Sequence, residues 1–268
     1  MRILFIGDIF GRPGRNAIDS HLRQIKSQYN VDFCIANSEN AAAGKGITHD
    51  VARQLLNAGA DVLTLGNHAW DNKDVFSFIH DERRLVRAYN YAPGLPGYGY
   101  ATIETPGGIT ITVSQLLGRL FMKNVDCPFR KADELVDAVK DSDIIIIDIH
   151  AEATSEKVSM GWYLDGRVSA VIGTHTHIPT ADERILPKGT AYITDVGMTG
   201  PYDSVIGMDI DVATQQLITT LKKPFKIAQH NVKIAGVLFD VNETTGKAKS
   251  IERILIPLAE PNSYPKHE

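Results

Sequence analysis

Carboxylates, amides and histidines follow short apolar runs along this chain, at the points where those runs end. The residues in question are Asp8, Glu39, Asn40, Asn67, His68, His150, His175 and His177. Because the carboxyl ends of parallel strands lie along one edge of a sheet, we expect these side chains to meet in one crevice. Carboxylate and amide oxygens together with imidazole nitrogens form a donor set suited to divalent metals. The pattern therefore predicts a metal site.

The sharpest part of the pattern is His175-Thr176-His177. Alternate side chains of an extended or turn segment can project to the same side, so both imidazoles can reach adjacent metals. Two cations about 3.5–4 Å apart, bridged by a carboxylate, would clamp a phosphoryl group and acidify a water nucleophile. The leaving oxygen still needs a proton, and His68 lies beside a predicted ligand. The residues predict a two-metal hydrolase.

Each residue taken singly also has a purely structural interpretation. Asp8 could cap a helix or turn the chain, and Asn67 after Gly66 suits a tight bend. A single histidine after a strand is more often a hydrogen-bonded structural group than a metal ligand. Only the combination of these positions favours the metal site.

Composition excludes several other classes of protein. The 268 residues contain 28 Lys and Arg against 32 Asp and Glu, so the net charge of −4 argues against a generally basic nucleic-acid-binding protein. With only two cysteines, Cys34 and Cys127, the chain has neither a disulfide framework nor a thiolate zinc site. No apolar run has the length of a signal peptide or membrane span. We therefore expect a cytoplasmic protein that does not bind membranes.

The elements that must position these residues follow an alternating strand and helix pattern, which is typical of α/β proteins. Buried strands are predicted at residues 2–7, 33–36, 62–65, 109–113, 144–149 and 168–172. Gly59 is expected to end the helix that contains Val51, Leu55 and Ala58. From Tyr192 onward we expect antiparallel strands, with a hairpin formed by residues 234–241 and 248–256. No linker divides the chain, so one domain is predicted for residues 1–268.

Three further segments have weaker signals. The Gly-rich stretch 43–48 does not have the spacing of a Walker A phosphate-binding loop. Its Lys45 is interpreted either as a substrate contact or as an exposed loop lysine. The Gly- and Pro-containing stretch 195–201 is predicted to be a loop that shapes the site, with Asp195 as a partner of a ligand histidine. Residues 222–226 are basic with one aromatic, a weak indication of RNA contact.

The same positions carry a family resemblance. Gly7-Asp8, residues 37–40, Gly66-Asn67-His68, His150 and residues 173–177 resemble the sequence blocks of calcineurin-like metallophosphoesterases. Residues 37–48, 63–71, 150–157 and 172–200 resemble the YmdB-like branch in particular, so the resemblance extends over essentially the whole chain. It implies a β-sandwich of mixed sheets flanked by helices. It also implies a binuclear metal centre that hydrolyses phosphodiesters, including 2′,3′-cyclic and 3′,5′-cyclic nucleotides.

The resemblance assigns a role to each position. The first metal would be held by Asp8, Glu39, Asn40 and His177. The second metal would be held by Glu39, Asn67, His150 and His175, with Glu39 as the bridge. His68 would be the proton donor.

Two departures from the wider superfamily affect the metal. The usual Asp-x-His block is Asp8-Ile9-Phe10 here, and the usual bridging Asp is Glu39, so Asn40 becomes the natural replacement ligand. Iron or manganese is favoured, and zinc stays open.

Alternative functions share the same residues. A phosphomonoesterase or nucleotidase would use the same two metals, and a non-catalytic regulatory protein would bind a nucleotide without hydrolysing it. The expected partner is a small cyclic nucleotide, and RNA ends are a second, weaker candidate. A homo-oligomer is also expected, with the edge of the C-terminal hairpin as one surface for self-association.

Overall fold

The computed structural model describes residues 1–258, and the predicted single domain of residues 1–268 extends outside this range. The elements of the first half, in chain order, are β1 (Arg2–Ile6), β2 (Asp8–Ile9), α1 (Gly11–Gln28), β3 (Phe33–Asn37), α2 (His49–Ala58), β4 (Val62–Thr64), a 3₁₀ helix (Lys73–Ser77), β5 (Leu85–Val86), β6 (Tyr100–Glu104) and β7 (Thr110–Leu117). Those of the second half are α3 (Pro128–Ala138), β8 (Ile144–His150), α4 (Thr154–Leu164), β9 (Ala170–Thr174), β10 (Arg184–Ile185), β11 (Ala191–Ile193), β12 (Met198–Pro201), α5 (Ile210–Thr219), β13 (Val232–Val241) and β14 (Ala248–Pro257).

The first sheet has eight strands, in the order β2-β12-β13-β1-β3-β4-β5, with β14 paired to β13. Strands β1, β3, β4 and β5 are parallel, so β1, β3 and β4 place their carboxyl ends at one edge. Strand β13 runs antiparallel to β1 and lies between β1 and β14. The hairpin predicted from residues 234–241 and 248–256 is confirmed by β13 and β14.

The second sheet has six strands, in the order β10-β11-β9-β8-β7-β6. Strands β7, β8, β9 and β11 are parallel, and β6 and β10 pair antiparallel at the two edges. The prediction of antiparallel strands from Tyr192 onward is wrong for β11, which pairs in parallel with β9. Hydrophobic patterning shows which strands are buried but not their direction. Strand β10 reverses the chain before β11 begins.

The two sheets pack face to face, and helices cover their outer faces. Side chains that alternate along β1 show this arrangement, because Ile3 and Phe5 belong to the core cluster between the sheets. Leu4 and Ile6 belong instead to the cluster under α1 and α2. A third cluster lies between the second sheet and helices α3 and α4. The predicted α/β sandwich of mixed sheets flanked by helices is confirmed.

Local sequence explains where helix α2 begins and ends. The Thr48 side chain accepts a hydrogen bond from the backbone N–H of Val51, which is an N-cap. Gly59, with φ of 121°, ends the helix as predicted. Both ends of helix α2 are therefore defined by residues of the local sequence.

Two features differ from the sequence prediction. Residues 198–201 form strand β12 rather than a loop, because they pair with both β2 and β13 despite Gly200 and Pro201. Helix α5 has no clear signal in the sequence, since Ala213 is its one buried residue and the larger apolar side chains of Leu217 and Ile218 are exposed. Within residues 1–258, no helix combines the length and apolar character needed to cross a membrane. The predicted homo-oligomer stays a prediction.

Candidate metal centre

The structure brings all eight predicted residues together at the carboxyl edges of the two sheets. Each lies within hydrogen-bond or ion-pair distance of another member of the set. From the first sheet, Asp8 begins β2, Glu39 and Asn40 follow β3, and Asn67 and His68 follow β4. From the second sheet, His150 ends β8, and His175 and His177 follow β9.

Glu39, His150 and His175 form the tightest part of the cluster. Each offers one possible ligand atom, and these atoms lie within 4.8 Å of one another. The Nε2 atom of His150 is 3.0 Å from Glu39 Oε1, 3.0 Å from His175 Nδ1 and 3.0 Å from Asn67 Oδ1. Three different loops and a strand end thus direct nitrogen and oxygen atoms at one point.

A second group lies on the other side of Glu39. His177 Nε2 is 3.9 Å from Asp8 Oδ1 and 3.1 Å from the Asn40 amide nitrogen. That amide nitrogen also donates to Glu39 Oε1 at 3.2 Å, so ligation through the Asn40 oxygen requires a turn of the amide. Asp8 Oδ1 is fully buried and has no hydrogen-bond partner within residues 1–258. A buried carboxylate oxygen without a donor is costly, and a bound cation would satisfy it.

Each of the three histidines is oriented through its other ring nitrogen. His150 Nδ1 lies 2.8 Å from Thr174 Oγ1, His175 Nε2 lies 3.1 Å from Glu152 Oε2, and His177 Nδ1 lies 2.9 Å from the carbonyl of Ile206. Metal-ligating histidines commonly donate their second N–H to a carboxylate, carbonyl or other oxygen in this way. The contacts leave His150 Nε2, His175 Nδ1 and His177 Nε2 turned toward the cluster. The donor set therefore fits a metal.

Asp148 fixes the orientation of His150 through Thr174, and it is not among the residues predicted from the sequence. It is fully buried in β8, and its carboxylate accepts hydrogen bonds from Thr64, Asn37, Gln115 and Thr174. Because the Thr174 hydroxyl donates to Asp148 at 2.6 Å, it accepts from His150 Nδ1–H. The available signal was a carboxylate inside an otherwise apolar strand, which must be hydrogen-bonded when buried.

The electrostatic environment of the cluster favours a positive charge at His150. Burial alone would lower the pKa of His150, but the charge and hydrogen bond of Glu39, with Asp8 and Asp148 nearby, raise it to about 9. Burial also raises the pKa of Asp8 to about 6, against the opposing charges of His177 and His150. A cation bound among these groups would replace the proton that the carboxylates attract.

Glu39 and His175 are held in the protonation states that metal ligation needs. The Glu39 carboxyl is buried, which opposes ionisation, but the charge and hydrogen bond of His150 lower its pKa below the ordinary range. Burial and the neighbouring charge of His150 lower the pKa of His175 to about 3. Glu39 is therefore a carboxylate and His175 a neutral imidazole.

Gly66 allows the two sheets to approach each other at the site. A Cβ atom at this position would lie 2.0 Å from Glu39 Oε2 and 2.5 Å from His150 Nε2. Any larger residue would displace both side chains. The glycine immediately precedes Asn67 and His68, so the bend that positions those residues also leaves room for the Glu39 carboxylate.

His68 lies at the rim of the cluster rather than within it. Its backbone N–H donates to Glu39 Oε2 at 3.0 Å, and its ring Nδ1 lies 2.7 Å from Asp71 Oδ2. The side chain is partly exposed, and its Nε2 atom has no hydrogen-bond partner among the described residues. An imidazole oriented by a carboxylate in this way is equipped to exchange a proton.

Within residues 1–258, Asp195 makes no hydrogen bond to a predicted ligand histidine, contrary to the prediction, and instead binds Thr176, which lies between two of them. Its carboxylate accepts hydrogen bonds from both the backbone N–H and the hydroxyl of Thr176, at 3.0 and 2.7 Å. The same oxygen is 2.6 Å from the ammonium of Lys157, and both side chains are buried. His175 and His177 adopt positive φ of 99° and 67°, which is a strained backbone conformation. The Asp195–Lys157 pair therefore stabilises a strained turn.

Comparisons with known proteins agree with this geometry. The chain matches the family model of YmdB-like proteins over residues 4–254. It is 51% identical over 257 residues to a Bacillus subtilis (strain 168) protein named 2′,3′-cyclic-nucleotide 2′-phosphodiesterase, and this match covers 96% of the chain and 97% of the relative.

Solved structures of similar sequence share the fold. A crystal structure from Mycoplasma pneumoniae, described as that of a novel phosphatase, superposes with a TM-score of 0.90 at 37% identity, covering 97% of this chain and 95% of the other. A Thermus thermophilus protein described as hypothetical superposes with a TM-score of 0.91 at 44% identity, covering 96% of this chain and 99% of the other.

Proposed function

The chain belongs to the YmdB-like family, and we propose that it is a metal-dependent phosphodiesterase that hydrolyses 2′,3′-cyclic nucleotides at a centre of two divalent cations. The observation that carries the proposal is the orientation of His150, His175 and His177, whose second nitrogens are all bound to oxygens. The Bacillus subtilis relative, 51% identical, supports the substrate class.

The ligands divide into two groups that share Glu39. Asp8, Glu39, Asn40 and His177 would hold the first cation, since Asn40 and His177 meet on the side of the unpartnered Asp8 oxygen. Glu39, Asn67, His150 and His175 would hold the second, since their atoms converge on His150 Nε2. The mixed oxygen and nitrogen donors, without thiolate, favour iron or manganese and also accept zinc.

When bound, the cations supply Lewis-acid polarisation of the phosphodiester and a lowered pKa for the attacking water. The residues do the rest. Glu39, held by the backbone of His68, fixes the distance between the two ligand groups. His68, oriented by Asp71, donates a proton to the oxygen that leaves phosphorus. Because the His68 imidazole is at the rim, it reaches the leaving group without occupying a ligand position.

The direct test is turnover by protein purified without chelators and supplied with Mn²⁺ or Fe²⁺. We expect hydrolysis of 2′,3′-cyclic AMP, and we expect Glu39→Gln to lower kcat/KM by about 100-fold or more, because Lewis-acid stabilisation is worth several kcal/mol. The matched control is Glu134→Gln, at an exposed glutamate paired with Lys131, which should leave the rate unchanged.

Two outcomes would contradict the proposal. One is the absence of turnover with every metal, and the other is an unchanged rate in Glu39→Gln. Nucleoside monophosphates are assayed in parallel, because release of inorganic phosphate from them alone would indicate a nucleotidase.

A further inference from the structure

Two segments outside the ligand set meet beside the metal centre. The loop of residues 41–46 directly follows Asn40, and the basic segment of residues 222–226 lies between α5 and β13. The Phe225 ring packs against Phe10 with a centroid distance of 6.1 Å, and Phe10 meets the His177 ring edge-on at 5.4 Å. Phe225 is therefore separated from a proposed metal ligand by a single aromatic ring.

Gly44 shows that Phe225 sits closely on the loop that follows Asn40. A Cβ atom at position 44 would lie 2.6 Å from Phe225 Cε1, and the glycine has a φ of 89°. Despite these contacts, 42% of the Phe225 surface is exposed to solvent. An aromatic ring that is held against backbone and still exposed offers a flat apolar surface to a ligand.

Lys45 lies over the same ring. Its Nζ atom is 5.9 Å from the Phe225 centroid, and within residues 1–258 it has no carboxylate partner at ion-pair distance. Its positive charge also reaches Asp71: burial would raise the pKa of that carboxyl, but the hydrogen bond of His68 and the charges of His68, Lys123 and Lys45 lower it. The Lys45 ammonium thus lies over the exposed ring, and its charge also acts on the carboxyl of Asp71.

We propose that Phe225 and Lys45 form the nucleoside-binding part of the site, with the nucleobase stacked on the Phe225 ring and the Lys45 ammonium bound to substrate phosphate or ribose oxygens. The inference rests on the proposed function and names the substrate contacts of that site. Base stacking on an aromatic ring tolerates every base, since each has a π-face. All 2′,3′-cyclic nucleotides should therefore be accepted, and purines should bind more tightly because they stack over a larger area.

The test compares 2′,3′-cyclic AMP with glycerol 1,2-cyclic phosphate, which has the same strained ester and no base. Phe225→Ala should raise KM for the nucleotide about 10-fold, within the range for loss of one stacking contact, and leave its kcat and all constants for the base-free ester unchanged. Phe225→Trp should restore the nucleotide KM. Lys45→Met should raise KM for both substrates. Tyr100→Ala, at an exposed aromatic on the edge strand β6, is the control and should change neither.

Binding measured by titration calorimetry separates this inference from the proposed function. Metal-loaded protein is titrated with 3′-AMP and with inorganic phosphate, and Phe225→Ala should weaken only the binding of 3′-AMP. An unchanged Kd for 3′-AMP, or equal weakening of both ligands, would overturn the nucleobase contact whether or not the protein turns over. If the base contact is present but no substrate is hydrolysed, the proposed function fails and the binding site stands. Circular dichroism melting confirms that each variant is folded.

Discussion

At the scale of single residues, the site depends as much on the groups that orient the proposed ligands as on the ligands themselves. The sequence predicted Glu39, His150 and His175 because carboxylates and histidines that follow several apolar runs together favour a metal site. It did not predict Glu152 or Ile206, which orient His175 and His177. An exposed glutamate and a backbone carbonyl have no sequence signature, since their roles follow only from the positions of the rings.

His68 and Asp71 can be separated from the ligands by their effects on metal content. His68→Ala should lower kcat by about 100-fold, within the usual contribution of a general acid, while leaving the bound metal nearly unchanged. Asp71→Asn should cause a smaller loss, because the imidazole remains and only its orienting carboxylate is altered. Turnover and metal analysis on the same preparations check this. Loss of metal from His68→Ala would identify His68 as a ligand.

At the scale of elements, the sequence predicted that the turn after β9 lies at the site. It did not predict the backbone conformation of that turn or the residues that stabilise it. The H-x-H spacing indicated that both histidines reach the site, whereas the positive φ of His175 and His177 is a backbone property. Asp195, from a different loop, binds Thr176, and Lys157 of α4 pairs with Asp195 and so supports the turn indirectly. Lys157 had no signal in the sequence, since it appears as an ordinary helix lysine.

The buried Lys157–Asp195 pair should make a large contribution to folding stability when only one partner is removed. Lys157→Met leaves an unpaired buried carboxylate and should lower the free energy of unfolding by about 3–5 kcal/mol. The control Lys131→Met removes an exposed pair with Glu134 and should cost less than about 1 kcal/mol.

Urea unfolding of both variants in the presence of a chelator measures these differences. The double variant Lys157→Met with Asp195→Asn should recover part of the loss, because no unpaired charge remains. Equal stability of Lys157→Met and the unchanged protein would show that the pair does not hold the turn.

At the scale of the whole molecule, the two sheets each supply part of the proposed ligand set. Asp8, Glu39 and Asn67 come from the first sheet, and His150 and His175 come from the second. The sequence predicted this convergence because strand ends of parallel sheets share an edge. It could not predict how closely the sheets approach, which depends on the absence of a side chain at Gly66.

Because each cation would be held by ligands from both sheets, metal binding should stabilise the whole folded domain against unfolding. At a free Mn²⁺ concentration of 100 times its Kd, each bound cation should add about 2.7 kcal/mol to the free energy of unfolding. We therefore expect Tm to rise by several degrees over protein in chelator, as measured by scanning calorimetry. The increase should be lost in Glu39→Ala and retained in Glu134→Ala. The same Tm with chelator and with Mn²⁺ would contradict a shared site.

The pairing of β1 with β13 has a consequence for how the protein is made. Strand β1 is synthesised long before its antiparallel neighbour, which spans Val232–Val241. During most of translation one side of β1 therefore has exposed backbone donors and acceptors next to a very apolar sequence. Such an edge invites pairing between nascent chains. Cells that synthesise this protein rapidly should depend on chaperones that bind nascent polypeptides.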